Sequence, residues 1–315
     1  DADVPVSGEE VNTAEVRAKI ANLQQKISEV RSECSGIKKD LDTIFGFTTA
    51  TTVASGLGTV AAGGALVSGV MKSKKDKLIE EKENELKLLQ SRTDNLSDDP
   101  EVLKQQIAEI MPSLDEDYAR LQKEIEEETK KSKMLGNVRT GLMAGATVTS
   151  AVSTGTSIGA TVNADKLAKK MSDCNQKLYE LRIAKSELEA LESSDKSAVE
   201  AGENATRILG ACTGFNKNNI NTVKNKMTAS AIISGIGTAT GATGTITSAM
   251  ANSKKVREDD SVKGKKKEKN LNLTANIMAG NTTGTSLSTT VISATAIADA
   301  KKDSKMAEEC EAVLK

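Results

Sequence analysis

The chain has 315 residues, 28% of them charged and only 2% aromatic, with no histidine, no tryptophan and three prolines. A net charge of −1 and the scarcity of stacking rings exclude a basic nucleic-acid binder, and the lack of histidine removes the commonest general base and metal ligand. So few prolines, with charged stretches dominated by Ala, Glu, Lys and Leu, predict an all-α protein of long, uninterrupted helices.

An N-terminal tail is expected over residues 1–12, beginning Asp1-Ala2-Asp3-Val4-Pro5 without a methionine. Such a start is what remains after removal of a signal peptide, so a secreted or cell-surface protein is expected.

A first helical module is expected over residues 13–194. It opens with Val16, Ile20, Leu23, Ile27, Val30, Cys34, Ile37, Leu41 and Ile44, whose steps alternate between four and three. This is the spacing of a coiled-coil seam. Residues 45–71 follow without a charge and are rich in Gly, Ala, Ser and Thr. Glycine costs up to about 1 kcal/mol per helical position, so contacts between helices must stabilise such a segment. Small side chains let backbones approach closely, which marks Ser55, Gly56 and Gly58 as helix-packing residues.

Residues 72–133 form a charged insert, with Leu78, Leu86, Leu89 and Leu96 and then Leu103, Ile107, Ile110, Leu114, Tyr118 and Leu121 at helical spacing. The break between the two predicted helices falls at Ser97-Asp98-Asp99-Pro100, a capping residue followed by proline at an early helical position. A second uncharged run occupies residues 140–164 and contains Met143, Ala144 and the packing candidate Gly145. Seam spacing then returns at Met171, Cys174, Leu178, Leu181 and Leu188.

The second module, residues 195–315, repeats these landmarks in order. Cys212-Thr213-Gly214 echoes Cys34-Ser35-Gly36, and a third run over 227–253 repeats Ser-Gly-x-Gly-Thr at Ser234, Gly235, Gly237 and Thr238. A fourth run over 271–298 repeats Met-Ala-Gly at Met278, Ala279 and Gly280, and is followed by Met306 and Cys310. The shared order predicts an internally duplicated helical hairpin, antiparallel within each module. The short connector, 254–270, is expected to be a solvated loop because Lys263, Lys265, Lys266 and Lys267 crowd together.

Four cysteines allow three pairings. In an antiparallel hairpin the seam that carries Cys34 faces the seam that carries Cys174, so the expected disulfides are Cys34–Cys174 and Cys212–Cys310. The alternative is four free thiols packed as small hydrophobes.

No phosphate-cradling, nucleophile-elbow or metal-ligand pattern occurs, so no catalytic residue, cofactor, metal or small-molecule substrate is expected. The leading expectation is a non-enzymatic structural protein that self-assembles through small-residue helix faces into a homo-oligomer or polymer of filament, sheath or surface-layer type. The second reading is a membrane-active, pore-forming protein, because each uncharged run is long enough to cross hydrocarbon. An uncharged Gly/Ala-rich hairpin set within long heptad helices resembles, in organisation, the helical pore-forming toxins, although four runs stand here in place of one hairpin. The abundance of Thr, Ser and Gly ranks that reading second, and a helical adhesin or binding module third.

Overall fold

The computed structural model describes the backbone of residues 8–315 and the side chains from Thr13 onward. The expected tail over residues 1–12 therefore lies largely outside the described residues, although helix already begins at Gly8. The elements are α1 (Gly8–Cys34), α2 (Ile37–Ser91), α3 (Pro100–Glu189), α4 (Lys196–Ala211), α5 (Lys217–Ala251), α6 (Lys254–Arg257), α7 (Val262–Lys301) and α8 (Ser304–Leu314). No strand occurs among the described residues.

Local chemistry explains where these helices start and stop. The repeated Cys-x-Gly landmark is a helix terminator: Gly36 has φ +82° and Gly214 has φ +66°, the left-handed conformation that glycine adopts without a steric penalty. At the head of α3, the Asp99 carboxylate accepts from the Glu101 amide at 3.0 Å and proline occupies the first helical position, as the sequence predicts. The loop expected at 263–267 is absent, and these lysines lie in the first turns of α7. Ser261 is the reason, because its hydroxyl accepts from the Gly264 amide at 3.0 Å and caps the helix.

The chain forms two compact units whose boundaries fall inside α2, α3, α5 and α7. Unit 1 comprises the chain up to Val53, with Val152–Ile232 and Ser288–Lys315. Unit 2 comprises Ala54–Ala151 and Ile233–Leu287. Each unit draws on both halves of the sequence.

Unit 1 has a conventional aliphatic core. Leu23, Val30, Ile37 and Ile44 are buried with Leu167, Met171 and Leu181, and with Ile208, Ile220 and Met227. Lys19 pairs with Glu187 at 2.9 Å, Lys26 with Glu180 at 3.3 Å and Asp40 with Lys170 at 3.3 Å, while Thr51 bonds Thr156 at 2.6 Å. Partner numbers on α3 thus fall as those on α1 and α2 rise. Helix α4 packs against α1 and α8 through Ala198, Ala201, Ala205 and Ile208.

Unit 2 has an interior of small and hydroxylated residues. Its buried positions include Ser55, Ala62 and Ala65 on α2, Met143, Ala146 and Ser150 on α3, Ser234 and Ser248 on α5, and Ala275, Ala279, Thr282 and Ser286 on α7. Along α2 the buried positions 44, 48, 51, 55, 58, 62 and 65 continue the four-three stepping that begins at Val16. The Met-Ala-Gly match does not point the same residue types inward: Met143 is fully buried, whereas on α7 it is Ala279 and not Met278 that is buried.

Candidate functional site

The structure links Cys34 to Cys174 and Cys212 to Cys310, with Cα separations of 4.9 and 4.6 Å, and no described cysteine is free. All four sulfurs are buried in the aliphatic core of unit 1. Cys34 and Cys174 occupy positions in the four-three stepping of an expected antiparallel hairpin, and Cys212–Cys310 is the pair that the repeat implies.

The glycines divide into two groups. A Cβ on Gly58 would stand 2.8 Å from Thr149 Oγ1, and one on Gly237 would stand 2.6 Å from Thr285 Oγ1, so both lie where helices approach closely. Gly56, Gly145, Gly235 and Gly280 do not, since a Cβ at any of them meets nothing within 4 Å. The reason is angular: successive helical residues are about 100° apart, so two glycines separated by one residue point to different sides. Ser55 and Ser234 do face inward, at 1% and 3% exposure. Sequence reasoning missed Gly69, Gly136, Gly241 and Gly244, each of which has a neighbour within about 3 Å of an added Cβ. Continuing the four-three stepping through 234, 237, 241, 244 and 248 would have found the last two.

Several hydroxyls along the runs bond within their own helices, others bond across to a neighbouring helix, as Thr240 does to Thr282 at 2.9 Å, and Ser157 and Thr289 are buried without a partner. Thr59 donates to the Ser55 carbonyl at 2.9 Å, Thr147 to Met143 at 2.8 Å and Thr282 to Met278 at 2.8 Å. Such a bond satisfies the hydroxyl donor of the buried Thr282.

The outer face is the inverse of the inner one. In the run 45–71 the exposed positions are Gly46, Ala50, Val53, Leu57, Val60, Val67, Val70 and Met71. In the run 140–164 they are Gly141, Gly145, Val148, Ala151, Val152, Gly155, Ile158 and Val162. Neither run exposes a polar side chain. The run 227–253 exposes Thr228 and Thr243 among Ile232, Ile236, Ala239, Ile246, Ala249 and Met250, and both threonines donate back to carbonyls of their own helix. The run 271–298 exposes Asn281, Ser288 and Thr295 beside Leu273, Ile277, Leu287 and Val291. The expectation of helices small on every face therefore gives way to helices small inward and aliphatic outward.

At one end of the runs in unit 2 lies a charge within the interior. Arg139 on α3 is fully buried, and its guanidinium donates to Ser248 on α5 at 2.8 Å and to Asn276 and Asn272 on α7 at 3.0 and 2.7 Å. A Cβ on Gly69 of α2 would overlap Asn276 Oδ1 and come within 3.1 Å of Arg139 Cδ, so glycine there makes room chiefly for the asparagine that accepts from the arginine. Burial lowers the Arg139 guanidinium to about 10, against the pull of the Asp76 carboxylate, and it remains a cation at neutral pH. Asp76 also pairs with the buried Lys72 at 2.7 Å and accepts from Ser132. Burial pushes the Glu268 carboxyl up, against the pull of Lys265 and Lys72. The arrangement ties α3, α5 and α7 together through one planar fork. Its sequence signal was position, because Arg139 stands four residues before Met143 on the same stepping.

Among the described residues no three of His, Cys, Asp and Glu come together as a metal site. No family model, curated protein or solved structure matches this chain. The fold and its cross-links define the class: an all-α, disulfide-linked helical bundle.

Proposed function

We propose that this protein is a non-enzymatic, membrane-inserting bundle of two antiparallel, disulfide-stapled coiled-coil hairpins, internally duplicated, whose four uncharged runs lie in lipid. One observation carries the reading: within the runs, the inward positions are mostly Ser, Thr, Gly and Ala, whereas the exposed positions include Val53, Leu57, Val60, Val148, Val152, Ile158, Ile232, Ile236, Leu287 and Val291. Water favours the opposite arrangement, because about 25 cal/mol is lost for each Å² of apolar surface left exposed. Hydrocarbon gives no drive between helices, so small residues and internally bonded hydroxyls become the natural inner surface. Each run exceeds the roughly 20 residues needed to cross a bilayer core. One described stretch, within Thr13–Ser91, is also apolar enough by composition, at a mean hydropathy of 1.5. The disulfides are consistent with an oxidising compartment and so with the secreted or cell-surface setting expected from the sequence.

Flotation with phosphatidylcholine vesicles tests this. Wild-type protein is expected to float, while Val60→Asp and Val148→Asp, at positions 74% and 63% exposed, lose flotation yet keep their helical content. A carboxylate at the centre of a membrane helix costs about 2.5–3.5 kcal/mol, whereas exposed substitutions in water usually stay within about 0.5 kcal/mol. Wild-type protein that stays with the aqueous fraction overturns the proposal. The second reading then takes its place: the same outward aliphatics cover one another in a homo-oligomer or polymer, which light scattering detects. It is favoured by Asn281, Ser288 and Thr295, which the run 271–298 leaves exposed.

A further inference from the structure

We infer that Asn95, in the turn between α2 and α3, is an N-glycosylation site that takes an oligosaccharide from a polyprenyl-pyrophosphate carrier. Asn-x-Ser/Thr triplets occur at Asn95, Asn204, Asn272 and Asn281, and in a Thr-rich chain such triplets arise readily from composition. The structure separates them. A transferase reads the asparagine amide together with the hydroxyl two residues on, so both have to be presented on one side of the backbone. A helix forbids this, because residues i and i+2 lie about 200° apart around its axis. Asn204 is on α4, and Asn272 and Asn281 are on α7. Their hydroxyl partners are committed as well: Thr206 donates to the Gly202 carbonyl at 2.8 Å, Thr274 to that of Asn270 at 2.9 Å and Thr283 to that of Ala279 at 2.7 Å. Asn272 is in addition buried and accepts from Arg139.

Asn95 differs on each count. It lies outside helix, at the end of the turn over residues 92–95, and it is exposed with no hydrogen-bond partner for its carboxamide among the described residues. Ser97 follows in the same non-helical connection, where its hydroxyl accepts from the Asp99 amide at 3.2 Å and is not tied to a helix carbonyl. The turn stands beyond about 30 Å of helix counted from Met71, which keeps a hydrated glycan clear of the aliphatic faces of the runs. The disulfides are consistent with passage through an oxidising compartment, the setting of such a transfer. In the transfer, Asn95 Nδ2 forms a bond to the anomeric carbon of the first sugar and gives up one proton to a base of the transferase. The bond from that carbon to the pyrophosphate oxygen breaks, and polyprenyl pyrophosphate leaves. Only one uncharged run, 45–71, separates Cys34 from Asn95, so a chain that carries both the disulfide and the glycan has passed that run across the membrane during export. On the bilayer reading the run then enters lipid afterwards; the glycosylation site itself does not depend on that reading.

The test uses the full chain from the cells that make it, with its disulfides intact. Digestion with a peptide N-glycosidase in heavy-oxygen water should lower the intact mass by one glycan and convert Asn95 to labelled aspartate, leaving Asn204, Asn272 and Asn281 unlabelled. Asn95→Gln and Ser97→Ala, produced in the same cells, should each lose the mass shift, whereas Ser97→Thr and Asn204→Gln should keep it. The inference is overturned if the undigested mass equals that of the bare sequence, if label appears at any of the three helical asparagines, or if the shift survives Asn95→Gln. Flotation on phosphatidylcholine is read separately. A protein that carries the glycan but stays in the aqueous fraction defeats the bilayer reading alone, and one that floats without a glycan defeats this inference alone.

Discussion

Gly241 shows what decides the effect of a side chain inside unit 2. A Cβ there would stand 3.2 Å from the Cα of Thr147, a backbone atom that cannot rotate aside. Gly235, in the more conspicuous Ser-Gly-x-Gly-Thr motif, has no such neighbour. Gly241→Leu should therefore lower stability by about 1–3 kcal/mol in a denaturant melt, the usual cost of overpacking, while Gly235→Leu should stay within about 0.5 kcal/mol of wild type. Equal effects would mean that the helices do not approach at Gly241. Arg139 gives a second test at this scale, because its three acceptors Ser248, Asn272 and Asn276 lie on two helices and a lysine ammonium lacks the planar fork that reaches them together. Arg139→Lys should cost about 1–3 kcal/mol through acceptors left unpaired, and an unchanged urea midpoint would remove the arginine from the account of register. Composition revealed that small residues pack; only their angular position revealed which ones.

Between elements, the stepping of buried positions is the organising feature. It runs from Val16 to Ile44 through large aliphatics and then continues through Thr48, Thr51, Ser55, Gly58, Ala62 and Ala65, where hydrophobicity no longer marks it. The seam was legible while its residues were large. Beyond Ile44 the same geometry holds, but inner and outer positions have exchanged their usual composition. Alongside the aliphatic seam, Lys26 and Lys177 each meet both Glu29 and Glu180, at 3.3–3.5 Å, in a ring between α1 and α3. The Lys26 hydrogen bond holds the Glu29 carboxyl below its ordinary 4.5, and Lys177 does the same for Glu180. Glu29 in turn raises Lys26 above 10.5, and Glu180 raises Lys177. A depressed carboxylate contributes stability that is present above its unfolded value and lost as pH falls through its folded value. A raised ammonium contributes stability that is present below 10.5 and lost as pH rises through its folded value. The ring's contribution should thus span the range between, and Glu29→Gln with Glu180→Gln should flatten the fall in melting temperature below pH 4.5. A double variant whose acid limb matches wild type would show that the ring contributes nothing measurable, as many exposed pairs do.

For the molecule as a whole, the disulfides are the longest-range constraints. They join residues 140 and 98 positions apart, and chain-entropy arguments assign each about 4–5 kcal/mol through restriction of the unfolded chain. Non-reducing peptide mapping should recover Cys34 linked to Cys174 and Cys212 linked to Cys310, and reduction should lower the melting temperature. Recovery of Cys34 linked to Cys212, or a melt indifferent to reductant, would contradict this placement of the cross-links. The bilayer proposal belongs to this scale too, since no single helix reveals it. It depends on the runs taken together, with Val60 and Val148 outward and Ser150 and Ser234 inward, although the run 271–298 also exposes Asn281, Ser288 and Thr295.

The sequence by itself determined that the chain is helical, that a helix begins at Pro100, and which cysteines stand on facing seams, whereas the breaks at Gly36 and Gly214 interrupt a seam that reads as continuous in the sequence. The first three follow from backbone conformational preference and from spacing, both of which act locally or through a regular period. The direction in which each side of the uncharged runs points was decided only by tertiary structure. Ser, Thr, Gly and Ala differ too little in hydrophobicity to mark one helix face, so neighbouring helices had to select it through contacts such as Gly58 with Thr149 and Gly237 with Thr285. The same selection drew Arg139 inward onto Ser248, Asn272 and Asn276, and left Val60, Val148, Ile236 and Val291 outside.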